Sequence, residues 1–211
     1  VQAIYRARSV GGGSFMSTAA SNWEMVITKQ KGKITLSLRG PETKVSPAPI
    51  PEDAEFFGII FRHGTFMPNL PGSKLVDHEI HLPETVKNSF QLFGETWEFP
   101  NSENVDVFVK RLIRNDLLAH DQVVGDVLRG KTQDLSLRSV QRRFVQVTGL
   151  TYKTIQQIER AKQATALLQS GVPISETTYQ AGYFDQAHLT NSLRRFYGQI
   201  PAQIIQSDDS A

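Results

Sequence analysis

The spacing of apolar positions changes character near residue 101. Before it, apolar and polar residues tend to alternate. In KITLSLRG (33–40), Ile34, Leu36 and Leu38 alternate with Lys33, Thr35, Ser37 and Arg39, the period-two signature of a half-buried strand. EMVITKQ (24–30) is rich in β-branched residues, and the Lys31-Gly32 pair between the two segments suits a tight hairpin. FFGIIFRHG (56–64) and HEIHLPE (78–84), the latter ended by Pro83, read as further strands, and VSPAPIPED (45–53) as a Pro-rich loop. Short strands between Gly/Pro turns predict a small sandwich or barrel.

After residue 101 the period lengthens. Asn101 or Ser102 is a good N-cap, acids fill the first turn, and Val105, Phe108, Val109, Leu112 and Ile113 recur at helical spacing. This predicts an amphipathic helix over 103–118. Its apolar stripe suits either dimerisation or packing on the β-rich part. Only helices are expected beyond it, so the domain boundary falls near 118–122: a β-rich domain over 1–118, a helical domain over 119–206 and a tail over 207–211.

The helical half repeats itself. SLRSVQRRFVQVTG (136–149) and DQAHLTNSLRRFYG (185–198) align without gaps at an offset of 49 residues. Ser136 matches Asp185 as N-cap, Val140 matches Leu189, Phe144 matches Leu193, and Gly149 matches Gly198 as a left-handed stop. A short helix precedes each: DQVVGDVLRG (121–130) and PISETTYQAG (173–182), the second joined to its follower by a tight Gly-containing turn. That is the helix-turn-helix pattern. The stretch 152–171 between the units reads as a connecting helix, with Ile155, Ile158, Ala161, Ala164 and Leu168 on one face. Two such recognition helices in one chain would suit successive major grooves, about 34 Å apart on one face of DNA.

Charge agrees with this division. Residues 1–120 balance, with 13 Lys/Arg and 13 Asp/Glu, whereas 129–206 hold 10 basic residues against 4 acidic ones. A basic half beside a neutral one suits a polyanion partner for that half, although a solvated basic face would give the same count. The absence of cysteine excludes disulfides, thiolate catalysis and Cys-ligated zinc. With no apolar run of membrane-spanning length, and no apolar signal core in VQAIYRARSVGGGSF, a cytoplasmic protein is expected.

The segments LSLRSVQRRF…TGLT and GYFDQAHLTNSLRRFYGQIPAQ, with Gly182-Tyr183, the Leu193-Arg194-Arg195 run, Gly198 and Pro201 in register, resemble the DNA-binding domain of AraC/XylS-type transcriptional regulators over about the last 90 residues. The N-terminal half is similar in kind to that family's β-rich sensing or dimerisation domains. The resemblance implies an α+β, two-domain fold: a small β-barrel or cupin-like domain followed by an all-α tandem helix-turn-helix of about seven helices. It implies recognition helices at 136–147 and 185–196. Arg138, Gln141 and Arg142 on the first, and Gln186, Ala187, His188 and Asn191 on the second, take the base-reading positions. Arg suits guanine and Gln or Asn suits adenine. Arg143, Arg194 and Arg195 are the phosphate candidates. The sequence departs from the pattern at Asn191, where such helices often present Arg, at Tyr152, where many relatives have Pro, and at Thr177 and Thr178, which replace more apolar residues.

Other chemistry is weaker. His78 and His81 flank Glu79, with His63 nearby, but an odd spacing in a strand sends the two imidazoles to opposite faces, so no metal and no cofactor are expected. No Ser or acid constellation accompanies His188, so no catalytic residue is assigned. Trp23, Phe57, Phe61, Phe66, Phe93, Trp97 and Phe99 suit either a plain core or an effector pocket. The expected partners are double-stranded DNA, a small-molecule effector in the N-terminal domain and a second copy of the chain, although a tandem reader does not need to dimerise. The reading is a sequence-specific, non-enzymatic transcription regulator. The competing one is a small-molecule-binding protein whose helical half is a protein-interaction module.

Overall fold

The computed structural model describes residues 1–85 and 88–208; residues 209–211 of the expected tail lie outside the described residues. The chain divides into two compact units. The first comprises Val1–Gly13, Asn22–Pro41 and Pro49–Tyr152; the second comprises Ser14–Ser21, Glu42–Ala48 and the chain from Lys153 on.

Twelve short strands are described: β1 (Ala3–Arg8), β2 (Gly13–Ser17), β3 (Glu24–Gln30), β4 (Lys33–Arg39), β5 (Ser46–Ile50), β6 (Ala54–Ile60), β7 (Thr65–Phe66), β8 (Glu79–His81), β9 (Glu84–Thr85), β10 (Ser89–Leu92), β11 (Glu95–Glu98) and β12 (Ala119–His120). Five of them form an open antiparallel sheet in the order β1-β6-β3-β4-β8, and β11-β10-β9 form a smaller one. The β3–β4 hairpin turns through Lys31 (φ 48) and Gly32 (φ 78), two successive left-handed residues, as the Lys-Gly pair predicts for a turn that matches strand twist.

One core joins the two sheets. Met25, Leu36, Leu38 and Ile59 of the larger meet Phe90, Leu92 and Trp97 of the smaller. The helix α1 (Val105–Arg114) buries Val105, Phe108 and Leu112 against them, with Phe108 and Trp97 edge to face at 5.9 Å. Each such side chain contributes about 1.5–3 kcal/mol by leaving water. The stripe of α1 therefore packs on the β-rich part, while Val107 and Ile113 stay exposed. The helix starts later than its polar flank suggests, because Asn101 is used in a turn: its side-chain oxygen accepts from the N–H groups of Glu103 and Asn104.

Two expectations change. The Pro-rich segment 45–53 contains β5, which pairs with β2 in a two-stranded ribbon. Pro47 and Pro49 stand at alternate positions, so their missing N–H groups can face away from the one neighbouring strand, which makes proline tolerable at an edge. The chain after residue 118 is also not wholly helical, since β12 pairs with β7 before the helices begin.

Seven α-helices occur among the described residues. In the first unit, α1 is followed by α2 (Gln122–Leu128) and α3 (Leu137–Thr148). The others are α4 (Tyr152–Gln169), α5 (Ile174–Gln180), α6 (Gln186–Tyr197) and α7 (Pro201–Asp208). In the second unit the buried apolar residues include Ile155, Ile158, Ala164 and Leu168 of α4, Leu189, Leu193 and Phe196 of α6, and Ile204 of α7. No described helix is long and apolar enough to cross a membrane.

Candidate nucleic-acid interface

The repeated segments are built alike. Each helix is 12 residues long. Ser136 accepts from the Ser139 N–H at 3.2 Å and Asp185 from the His188 N–H at 2.7 Å, each satisfying one of the N–H groups that a helix start leaves without a partner. Gly149 (φ 75) and Gly198 (φ 72) end them in the left-handed conformation. At Gly149 the requirement is also steric. A Cβ there would lie 2.6 Å from the carbonyl oxygen of Gly72, so the end of α3 rests directly on the backbone of the short 3-10 turn at Gly72–Lys74.

The far end of α6 is held by main chain. The Val45 N–H donates to the Arg195 carbonyl at 2.9 Å and the Ala19 N–H to that of Phe196 at 2.8 Å. Two of the carbonyls that a helix C-terminus leaves unpartnered are thus satisfied by segments from the N-terminal half of the sequence. Nothing in the local sequence signals these bonds.

Burial sets the outward face of each helix. On α3, Phe144 and Val147 are buried and Val140 half-buried, while Arg138, Gln141, Arg142 and Arg143 are exposed. On α6, Leu189, Leu193 and Phe196 are buried, while Gln186, Ala187, His188, Asn191, Arg194 and Arg195 are exposed. All ten residues assigned to DNA from the sequence are solvent-facing, and Arg138, Arg142, Ala187 and Asn191 lie nearest the centre of the two faces. Exposed Gln146 belongs beside Arg142, four residues on; the same helical spacing was sufficient to find it.

Three of the assigned residues have other partners, Arg195 among them, its guanidinium 5.1 Å from the Phe196 ring centroid. Arg143 binds the Asp121 carboxylate at 2.7 Å. Asp121 is also the N-cap of α2, accepting from the Val124 N–H, so this pair pins α3 to α2. The ring of His188 sits edge-on to Tyr183 at 5.1 Å. The Tyr183 hydroxyl bonds Ser192 at 2.9 Å, and burial pushes its phenol above the usual tyrosine range. His188 is thus supported by the turn between α5 and α6, where Phe184 is 92% exposed.

The departures from the helix-turn-helix pattern have local explanations. Thr177 and Thr178 are buried, and their hydroxyls donate to the carbonyls of Val172 and Ile174. The hydroxyl is satisfied by main chain, so the methyl can pack as an apolar group. Tyr152 sets its ring against Phe144, edge to face at 5.3 Å. At the possible metal motif, His81 bonds Ser37 and His78 bonds the Val76 carbonyl.

A family model described as a helix-turn-helix domain matches residues 131–207. Residues 131–207 thus belong to a helix-turn-helix domain. The match takes in α3 to α7 and so draws on both compact units. No curated protein matches the chain. Among solved structures, ToxT from Vibrio cholerae O395 is similar at a TM-score of 0.44 and 9% identity, covering 99% of this chain and 98% of that one. A P21 crystal form of ToxT from Vibrio cholerae gives 0.43 and 9%, covering 97% of each. ToxT from Vibrio cholerae strain SCE256 with a bound unsaturated fatty acid gives 0.42 and 8%, covering 96% and 93%.

Proposed function

We propose that the chain is a sequence-specific DNA-binding transcription regulator that responds to a small-molecule effector. One observation carries the DNA-binding part: two capped, glycine-stopped helices with exposed Arg, Gln and Asn faces lie in the stretch matched by the helix-turn-helix family. Arg138, Gln141, Arg142, Gln186, Ala187 and Asn191 read base edges, with His188 at the margin. Arg194 and Arg195 take backbone phosphates. Arg143 joins them only by leaving Asp121 or by sharing its guanidinium. Selection of duplexes from random sequence tests this. Enrichment of a defined site, with affinity falling steeply as salt rises, is the expected result. No enrichment would favour the competing reading, in which the helices bind protein.

The effector part rests on a 640 Å3 cavity in the first unit. Strand register explains it. Arg6, Phe57 and Ile27 form one cross-strand row, and Arg8, Glu55, Lys29 and Ile34 form the next row on the same face. The core of the sheet thus opens outward from an apolar floor of Ile27, Ile34, Phe57 and Phe99 to a rim that, among the described residues, carries three cations and one acid. Lys29 stands 3.9 Å from Glu55, and Arg6 bonds Ser102. Such a lining suits an organic anion with an apolar body.

A further inference from the structure

In the second unit, a 720 Å3 cleft separates α4 from α6. Its α4 wall is a single stripe. Lys153, Gln156, Gln157 and Arg160 fall at i, i+3, i+4 and i+7, which places them on one helix face. Its α6 wall carries His188, Asn191, Ser192 and Arg195. Among the described residues, three cations line the cleft and no carboxylate does. The acid on this part of α4, Glu159, lies off the stripe and accepts from Ser21.

The corresponding flank in the first unit is arranged differently. There Arg143, the repeat mate of Ser192, is neutralised by Asp121, and that carboxylate lines the adjoining pocket. In the second unit no acid among the described residues occupies the cleft, and two of its three cations come from a helix that sequence alone casts as a connector. Arg160 is braced, with its guanidinium 5.6 Å from the Tyr183 ring centroid, while Lys153 is exposed in the first turn of α4.

We propose that this cleft binds a DNA backbone phosphate flanking the groove read by α6, held by Lys153, Arg160 and Arg195, so that α4 supplies the positive charge that Asn191 does not. This rests on the DNA-binding reading above, in which Asn191 faces a base and so brings the mouth of the cleft against the adjoining strand. A phosphate there is the ligand the lining fits: charge without carboxylate competition, with amide and hydroxyl donors from Gln157 and Ser192.

The test uses the full chain and a duplex selected by it from random sequence. Binding is measured across a salt series for Lys153→Gln, Arg160→Gln and, as a control of equal charge change, Lys162→Gln, which lies on α4 outside the cleft. The expected result for Lys153→Gln is weaker binding to every duplex alike and a salt slope smaller by about one, with the melting temperature unchanged. Lys162→Gln should keep the wild-type slope. Arg160→Gln should behave as Lys153→Gln does if it stays folded; Lys153→Gln decides the matter if it does not. A wild-type slope in Lys153→Gln, or an equal loss in Lys162→Gln, would overturn the proposal. If the wild-type chain selects no duplex, it is the DNA-binding reading itself that fails.

Discussion

At the scale of single residues, the two reading helices are equivalent in build and unequal in chemistry. Arg142 and its repeat mate Asn191 both occupy the centre of an exposed face. Arginine offers guanine a charged bidentate donor, whereas asparagine offers adenine a neutral one. Arg142→Ala should therefore cost about 1–3 kcal/mol of binding and relax preference at one or two base pairs. Asn191→Ala should cost less. Equal losses in a titration against the selected site would show that the helices are not ranked this way. A second residue responds to pH. The hydrogen bond from Arg129, joined by Lys131, holds the Asp126 carboxyl below its usual range against the opposing effect of burial. A depressed carboxylate stabilises the fold above its unfolded pKa, about 3.9, and that stabilisation disappears as pH falls through the lower, folded value. Melting temperature should thus drop on acidification below about pH 4, and Asp126→Asn should make that drop shallower.

At the scale of elements, the fate of Arg143 shows how far spacing reasoning reaches. Periodicity puts Arg143 on the rim of α3 and so available to phosphate. It cannot show that Asp121, 22 residues earlier, caps α2 at the point where that guanidinium arrives. The same limit applies to the end of α6. Its glycine stop is legible in the sequence, while its two carbonyl partners at Ala19 and Val45 are not. Val45→Pro removes one of those donors without touching a helix. It should destabilise the second unit by about 1–3 kcal/mol, the cost of an orphaned backbone acceptor. Hydrogen exchange should show earlier opening in the last turn of α6, and unchanged protection there would mean that Gly198 suffices as a stop.

For the whole molecule, effector and DNA are two ligands with one predicted chemical signature each. An alkyl or aryl carboxylate should raise the melting temperature, in proportion to RT ln(1 + [L]/Kd), while the alcohol of the same carbon skeleton should do so much less. Lys29→Glu with Arg8→Glu should abolish the difference between them. If acid and alcohol stabilise equally, the rim cations are solvated surface and the cavity selects only for apolar bulk. The family match does not bear on this, because residues 131–207 exclude every strand that lines the cavity.

The sequence by itself determined whatever is periodic or local: the β3–β4 hairpin, the helices from 105 on, the twin caps and glycine stops, and the exposed faces of α3 and α6. These follow from side-chain spacing and from the backbone freedom of particular residues, both of which are properties of short segments. Only the tertiary structure decided what stands beside those faces. Asp121 lies against Arg143, and the Lys153–Arg160 stripe lies across a cleft from Asn191. It also brought Arg6, Arg8 and Lys29 to one rim over Phe57 and Phe99. The physical reason is that charge acts through distance in space, and the separation between α4 and α6, or between β1 and β3, is fixed by how buried side chains pack, which no single stretch of the chain encodes.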